Sequence, residues 1–187
     1  MEIIQTGIND MVVVVPEVFA DDRGYFFESY NLQHLMRIGY DFQFVQDNQS
    51  LSRYGVVRGL HYQLEPYAQT KLVRVLCGRI FDVAVDIRRE SPTFGKWYGV
   101  EITGENKYQL LIPKGFAHGF SVISEEALVL YKTDNYYHPE SERGILYNDA
   151  DLDIDWKLAA DKMTVSERDK ELSSFREVEM NFSYKQP

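Results

Sequence analysis

The sequence KLVRVLCGRIFDVAVDI, residues 71–87, contains two apolar runs on either side of a Cys-Gly pair. In the second run, apolar side chains occupy every second position from Phe81 to Ile87, and Asp82 and Asp86 fall in the other phase. A period of two is typical of β-strands, and the Cys-Gly pair between the runs is a turn signal. The segment therefore predicts a hairpin of half-buried strands.

Short β-rich segments of the same kind recur along the chain, separated by clusters of Gly, Pro, Asn or Ser. They cover residues 11–15, 24–30, 56–63, 97–103, 108–112, 116–123 and 128–135. Many short strands at this density favour an all-β closed barrel or sandwich, and the strand-helix alternation of a doubly wound fold is absent.

Helices are expected to be few and short. Asn31 can cap a helical turn over residues 35–37 that Gly39 ends, and Ser166 can cap a turn with Asp169 at its third helical position. From about residue 148 the chain becomes more acidic and less apolar. We therefore expect a single domain over residues 1–187, with a peripheral C-terminal segment from about residue 148.

The composition indicates a packed globular protein with enough aromatic residues for both a core and a ligand pocket. Of the 187 residues, 44% are hydrophobic, including 13 Tyr and 11 Phe. A formal net charge of -9 argues against a nucleic-acid-binding surface, which needs many Lys and Arg contacts to phosphates. One phosphorylated small ligand remains possible, because two or three well-placed cations suffice for it.

The cysteine and the N-terminus predict a cytoplasmic location. The single Cys77 cannot form an intramolecular disulfide, and its apolar surroundings predict a buried structural thiol in a reducing compartment. The first ten residues are acidic where a secretory signal would be basic. No segment approaches the roughly 20 apolar residues of a membrane-spanning helix, so no membrane partner is expected.

Two of the four histidines are candidates for chemistry. His34 and His138 lie in polar surroundings and are expected at the surface, whereas His61 lies in RGLHYQ and His118 in IPKGFAHGF. A metal site on a strand commonly uses a His-x-His pair, since alternate residues share a face. The positions two residues from His61 and His118 hold Gly, Gln and Phe, which predicts no metal ion.

His61 is suited to general-base chemistry, because the ordinary pKa of histidine near 6.5 allows proton abstraction at neutral pH. A base of this kind is usually oriented by a carboxylate on its far ring nitrogen. Asp82, Asp86 and Asp169 are all possible partners on the evidence of the residues.

A cation and a proton donor could complete such a site. Lys71 opens a predicted strand, and Tyr131 offers a phenol that can protonate an enolate. Strict alternation puts Arg58 and His61 on opposite faces of their strand. A shared pocket therefore requires an irregularity, which Gly59 could provide as a bulge.

Long motifs follow one another from about residue 19 to residue 156. They include FADDRGYFFE (19–28), QDNQS (46–50), GVVRGLHYQ (55–63), QTKLV (69–73), DVAVDIR (82–88), SPTFGKW (91–97), IPKGFAHGF (112–120) and YK (131–132). In this order they resemble the motifs of the dTDP-4-dehydrorhamnose 3,5-epimerases.

The resemblance implies a cupin-type jelly-roll β-barrel with short peripheral helices, a homodimer, and activity without metal or organic cofactor. The implied reaction converts dTDP-4-dehydro-6-deoxy-D-glucose by epimerisation at C3 and C5. The implied catalytic residues are His61 as base, Tyr131 as acid, Asp169 as the orienting carboxylate in SERD, and Lys71 at the oxyanion. The implied substrate contacts are Arg23, Glu28, Gln46, Asn48, Arg58, His118, Glu142 and Tyr137, the last by stacking on thymine.

Four other functions remain open at this point. They are an epimerase that inverts one carbon only, a 3,4-ketoisomerase, a non-catalytic sugar-nucleotide-binding barrel and a metal-dependent oxygenase. The presence of His61, Lys71 and Tyr131 together argues against the non-catalytic protein.

Overall fold

The computed structural model describes residues 1–184 and consists mainly of β-strands, which confirms the all-β prediction. The strands are β1 Glu2–Gln5, β2 Val12–Val15, β3 Phe19–Asp21, β4 Gly24–Phe26, β5 Gln46–Arg53, β6 Val56–Gln63, β7 Lys71–Cys77, β8 Arg79–Asp86, β9 Trp97–Thr103, β10 Gln109–Ile112, β11 Phe116–Val122, β12 Glu126–Thr133, β13 Glu142–Gly144 and β14 Thr164–Val165. The helices are α1 Leu32–Arg37 and α2 Glu167–Lys170, with 3₁₀ turns at Pro139–Ser141 and Ala160–Lys162.

The strands form two large sheets. Sheet I has the order β1-β2-β10-β7-β12-β5, and sheet II has the order β13-β6-β11-β8-β9, with β14 added parallel to β6. The short strands β3 and β4 form a separate hairpin. Of the two architectures that the sequence allowed, the strands adopt the sandwich, because sheets I and II do not hydrogen bond to each other.

One apolar core fills the space between the two sheets. Sheet I contributes Val73 and Val129, and sheet II contributes Ile80, Ile102 and Phe120. Each of these side chains comes from the phase of its strand that points to the opposite sheet, as the period-two pattern requires. This interior is also where the two sheets can enclose a ligand.

Strand β8 is buried on both faces, which corrects the prediction of half-buried strands in this hairpin. Phe81, Val83 and Val85 do not face the other sheet but a second apolar cluster on the outside of sheet II. The segment beyond residue 148 covers this face with Trp156 and Phe182, among others. Asp82 and Asp86, which alternate with these apolar residues, therefore lie on the other face of β8, toward sheet I.

The outer face of sheet I is covered in a similar way by residues 30–44. Tyr30, Tyr40 and Phe42 pack against a third apolar cluster there. Helix α1 lies in this segment, and the Asn31 side chain accepts a hydrogen bond from the Gln33 amide, as predicted for its cap.

The prediction of a buried thiol at Cys77 is wrong, because the side chain is exposed. Cys77 is the last residue of β7, and Gly78 beside it turns the chain with φ +81°. The hairpin tip thus extends past the core. Among residues 1–184, no helix is long and apolar enough to cross a membrane.

Candidate active site

A cavity of about 650 Å³ opens between sheets I and II. Sheet I lines it from β5, β7 and β12, and sheet II lines it from β6, β11 and β13, while residues 164–169 close one side. The residues predicted from the sequence that line it are Asn48, Arg58, His61, Lys71, His118, Tyr131, Tyr137, Glu142 and Asp169.

A bulge in β6 brings Arg58 and His61 to the same cavity. Opposite them on β11, His118 pairs with His61 and Phe120 pairs with Arg58, so two residues of β6 face a single residue of β11. Gly59 adopts φ +114°, and a Cβ at this position would lie 2.5 Å from the Cα of Gly119. Only glycine fits here, and the irregularity predicted at Gly59 is confirmed.

His61 and Asp169 form a hydrogen-bonded pair, with 2.8 Å between Nε2 and Oδ1. Asp169 sits in the first turn of α2, where its amide donates to the Ser166 hydroxyl at 3.1 Å. Its second oxygen accepts a hydrogen bond from the Gly59 amide at 3.3 Å. The cap predicted at Ser166 is therefore present, and it fixes the carboxylate behind the imidazole.

Of the three carboxylates that could orient His61, the structure pairs Asp169 with it. Asp82 bonds to His118, and Asp86 accepts hydrogen bonds from Arg88, Ser91 and Thr93. Burial would raise the pKa of Asp169, but the hydrogen bonds from His61, Gly59 and Ser166 outweigh it and hold this pKa below its usual value. Asp169 thus stays ionised beside His61 at neutral pH.

Sheet I carries the cation and the phenol on the opposite wall. Lys71 and Tyr131 belong to neighbouring strands, β7 and β12. Burial lowers the pKa of Lys71 to about 8, and the negative charges of Glu142 and Asp82 partly offset this effect. Burial also raises the pKa of Tyr131, so its hydroxyl keeps its proton at neutral pH.

A second histidine-carboxylate pair lies on the sheet II wall. His118 Nε2 is 2.7 Å from Asp82 Oδ1, and both side chains are buried. Because the carboxylate occupies Nε2, Nδ1 is the ring nitrogen of His118 that remains for a ligand.

A polar cluster lies where the cavity meets solvent. The Tyr137 hydroxyl donates to Glu142 at 2.6 Å, and the Arg168 guanidinium donates to the same carboxylate oxygen. Gln46 does not line the cavity itself but bonds to Asn48 at 2.9 Å and accepts from the Tyr137 amide at 3.3 Å. The half-exposed Tyr137 ring is thereby held at the edge of the cavity.

Arg168 is a cavity residue that the sequence reasoning missed. Burial would raise the pKa of Glu142, yet the hydrogen bonds from Tyr137 and Arg168 lower it overall. The sequence could have indicated Arg168, because this residue directly precedes Asp169 in SERD and lies in the first turn of the helix that Ser166 caps.

Arg23 and Glu28 are not brought to this cavity. Arg23 projects from the tip of the β3–β4 hairpin, almost fully exposed, and pairs with Asp21. Glu28 lies near Asn31 and His34, beside a separate cavity of about 240 Å³ that contains neither His61 nor Tyr131. These two predicted substrate contacts are therefore remote from the predicted base in the same chain.

Among residues 1–184, no group of three or more His, Cys, Asp or Glu side chains is arranged to hold a metal ion. The expectation of activity without metal or organic cofactor stays a prediction, and a chelator can test its first part.

Comparison with known proteins gives a consistent result. The sequence profile of the dTDP-4-dehydrorhamnose 3,5-epimerase family matches residues 5–177. Proteins of that name from Shigella flexneri and Escherichia coli K12 are 56% and 51% identical, over 84% and 95% of this chain and 88% and 96% of their own.

A crystal structure of dTDP-6-deoxy-D-glucose-3,5-epimerase from Legionella pneumophila, in complex with dTDP-4-keto-L-rhamnose, is similar in fold. Its TM-score is 0.94 at 46% sequence identity, and the match covers 99% of both chains. The cupin-type fold that the motifs implied is therefore confirmed, in the form of two facing sheets rather than one closed barrel. The chain belongs to the dTDP-4-dehydrorhamnose 3,5-epimerase family.

Proposed function

We propose that this protein converts dTDP-4-dehydro-6-deoxy-D-glucose to dTDP-4-dehydro-L-rhamnose, with His61 as base and Tyr131 as acid. The observation that carries the proposal is their placement on opposite walls of one cavity, His61 on sheet II and Tyr131 on sheet I. The bound product in the related Legionella pneumophila structure supports the substrate class.

The first chemical step is removal of the proton on the carbon next to the C4 ketone. That proton is acidic because the resulting carbanion delocalises onto the C4 oxygen as an enolate. The free ring nitrogen of His61 takes the proton, while the ionised Asp169 behind Nε2 stabilises the imidazolium that forms.

Lys71 stabilises the enolate oxygen. With a pKa of about 8, its ammonium is mostly protonated at neutral pH, and it acts in a partly desolvated cavity where a charge interaction is strong. The ammonium also lies 3.5 Å from the His61 carbonyl, which keeps it beside the base.

Tyr131 completes each inversion by donating its proton to the opposite face of the carbanion. Its raised pKa keeps the phenol protonated until the strongly basic enolate is present. One proton is gained by His61 and one lost by Tyr131 in each inversion, and exchange with solvent restores both groups. The same arrangement serves C3 and then C5, since both carbons flank the ketone.

The nucleotide end of the substrate has a matching set of groups at the mouth of the cavity. The exposed Tyr137 ring offers a flat surface for thymine, and Arg58 and Arg168 supply positive charge for the diphosphate. Asn48 adds a polar side chain from β5, which Gln46 holds in place.

The active form is a homodimer in this proposal. Arg23 and Glu28 match the substrate contacts of the family but lie outside the cavity of their own subunit. In a homodimer, these two residues can contact the substrate in the partner's cavity.

A cytoplasmic location is also part of this proposal, because Cys77 has no cysteine within the chain with which to form a disulfide.

Proton NMR of the substrate in deuterated water tests the reaction. We expect deuterium at both C3 and C5, and a loss of activity of at least about 1,000-fold in His61→Asn, because the base is removed while a polar side chain of similar shape remains. His138 does not line the cavity, and its ring stacks on Tyr67, so His138→Asn is the matched control and should retain activity.

The other functions predict different results in the same assay. Deuterium at a single carbon would indicate an epimerase of one centre, and wild-type activity in His61→Asn would overturn the assignment of the base. Activity lost with a chelator and restored by iron would indicate a metal-dependent enzyme.

A further inference from the structure

Asp82 on β8 has no assigned role, yet its carboxylate is fully buried beside the cavity. Its Oδ1 bonds to His118 at 2.7 Å, and its Oδ2 has no hydrogen-bond partner among residues 1–184. Burying a carboxylate with one oxygen unsatisfied is costly, and such a group in a native protein calls for an explanation. An apolar residue would be compatible with this side of β8, because Ala84, two residues along the strand, belongs to the apolar core.

The Asp82 carboxylate determines which nitrogen of His118 carries hydrogen. A carboxylate only accepts hydrogen bonds, so Nε2 of His118 must be the donor. The ring is thereby held in one orientation, with Nδ1 left for the ligand. The same logic applies to the carboxylate that orients the base of a catalytic triad.

The charge of Asp82 also acts on Lys71. Its negative charge, together with that of Glu142, opposes the effect of burial on the Lys71 ammonium. The two carboxylates reach Lys71 from different strands, β8 and β13, so they are independent sources of compensation.

We propose that Asp82 is a positioning residue of the epimerase, which holds His118 through Nε2 and places a buried negative charge in the neighbourhood of Lys71. The inference rests on the function proposed above. It explains why an acidic residue interrupts the apolar strand at this point. Asp82 does not touch the substrate in this account but acts through His118 and Lys71.

Several other ionisable groups face the same cavity and contribute to its charge. They are Arg58, His61, Tyr62, His118, Tyr131, Tyr137, Glu142, Arg168 and Asp169. Among the carboxylates, Asp169 is committed to His61, and Glu142 is shared by Tyr137 and Arg168. Asp82, by contrast, makes one hydrogen bond, to His118, and its second oxygen is unpaired among residues 1–184.

Asp82→Asn tests the proposal, because it keeps the shape of the side chain and removes its charge. We expect kcat to fall about 10- to 100-fold, less than the 100- to 1,000-fold typical of losing an oxyanion donor, with KM changed by less than about threefold. The alkaline limb of the kcat/KM profile, which reports the free enzyme, should move to lower pH, because Lys71 loses its proton earlier. An unmoved limb would overturn the proposal.

Asp86→Asn is the matched control on the same strand. Asp86 is equally buried but bonds to Arg88, Ser91 and Thr93 rather than to His118. We expect it to lower the midpoint of thermal unfolding without moving the alkaline limb. If both variants move the limb equally, a general loosening of the fold explains the effect and the proposal fails.

A measurement on the wild-type protein is independent of how the variants fold. Nitrogen-15 NMR of the imidazole should show Nε2 of His118 protonated throughout the active pH range, and an unprotonated Nε2 would contradict the inference. Deuterium exchange at C3 and C5 by the wild type tests the reaction separately. A correct reaction with an unaffected Asp82→Asn enzyme would therefore overturn the inference alone.

Discussion

Lys71 shows how a single residue of this site favours activity at the expense of stability. Its pKa falls to about 8 from an ordinary value of 10.5 because the ammonium is buried. Below pH 8 the folded protein carries the full cost of that buried charge. Between about pH 8 and 10.5 the unfolded chain binds this proton and the folded chain does not, so the free energy of unfolding rises with pH.

Lys71→Met is therefore expected to raise the free energy of unfolding at pH 7 by about 2 kcal/mol, the side chain being only partly shielded from solvent. Activity should fall at least about 100-fold, because the enolate oxygen loses its cation. Denaturant titrations would measure the gain in the free energy of unfolding at pH 7 and its loss at pH 10. The exposed Lys96 provides the control, and Lys96→Met should change neither quantity. A destabilised Lys71→Met protein would contradict this account.

Residue types and spacing predicted part of this site but could not assemble it. Each histidine-carboxylate pair joins residues that are distant in sequence, 108 positions apart for His61 and Asp169 and 36 for His118 and Asp82. No local pattern distinguishes Asp169 from Asp82 or Asp86 as the partner of His61. The resemblance to known motifs identified it, and the fold of α2 against β6 explains the pairing.

At the scale of elements, the strands that were predicted best are those with apolar alternation or turn signals at both ends. The bounds of β6 and β9 match the predicted residues 56–63 and 97–103. Strand β5, Gln46–Arg53, was not predicted, because its inward side chains are polar. Asn48 and Ser50 line the cavity. The positions at which hydrophobic residues would have predicted a strand therefore hold polar residues that can contact a ligand.

The bulge of β6 is the element on which the position of His61 depends most. In Gly59→Ala, the added Cβ would meet the backbone of Gly119 and would also occupy a φ of +114°. We expect a loss of about 2–4 kcal/mol in the free energy of unfolding and a fall in kcat larger than the change in KM, since the base is displaced. Chemical denaturation and steady-state kinetics measure the two effects.

Gly7→Ala separates the two causes. Gly7 also has a positive φ, +80°, but a Cβ there would have no atom within 4 Å. We expect it to cost about 1 kcal/mol with no effect on kcat. Equal losses in the two variants would mean that backbone conformation, rather than the close approach to Gly119, limits the bulge.

At the scale of the whole molecule, the C-terminal segment is more closely integrated than its composition suggested. It covers the outer face of sheet II with Trp156, Met180 and Phe182, and β14 adds to β6. The same segment carries α2 and therefore Asp169. Stability and the orientation of the proposed base His61 are thus linked, because the segment that places α2 beside His61 also packs on the outer face of sheet II.

The proposed homodimer leads to a prediction about which subunit supplies Arg23. If Arg23 serves the partner's cavity, Arg23→Ala and His61→Asn homodimers are both impaired, but their heterodimer has one complete site. Chains with different affinity tags, co-expressed and purified over both tags, should show about half of the wild-type activity per dimer. An active Arg23→Ala homodimer would remove Arg23 from the substrate contacts.

The reciprocal heterodimer provides the control. In this heterodimer one chain carries both substitutions and the other is wild type. The site with His61 then lacks the partner's Arg23, and the site that receives Arg23 lacks His61. We expect almost no activity from this heterodimer, although it contains the same two substitutions. The opposite result, with the doubly substituted heterodimer half active and the singly substituted one inactive, would mean that Arg23 reaches the cavity of its own subunit.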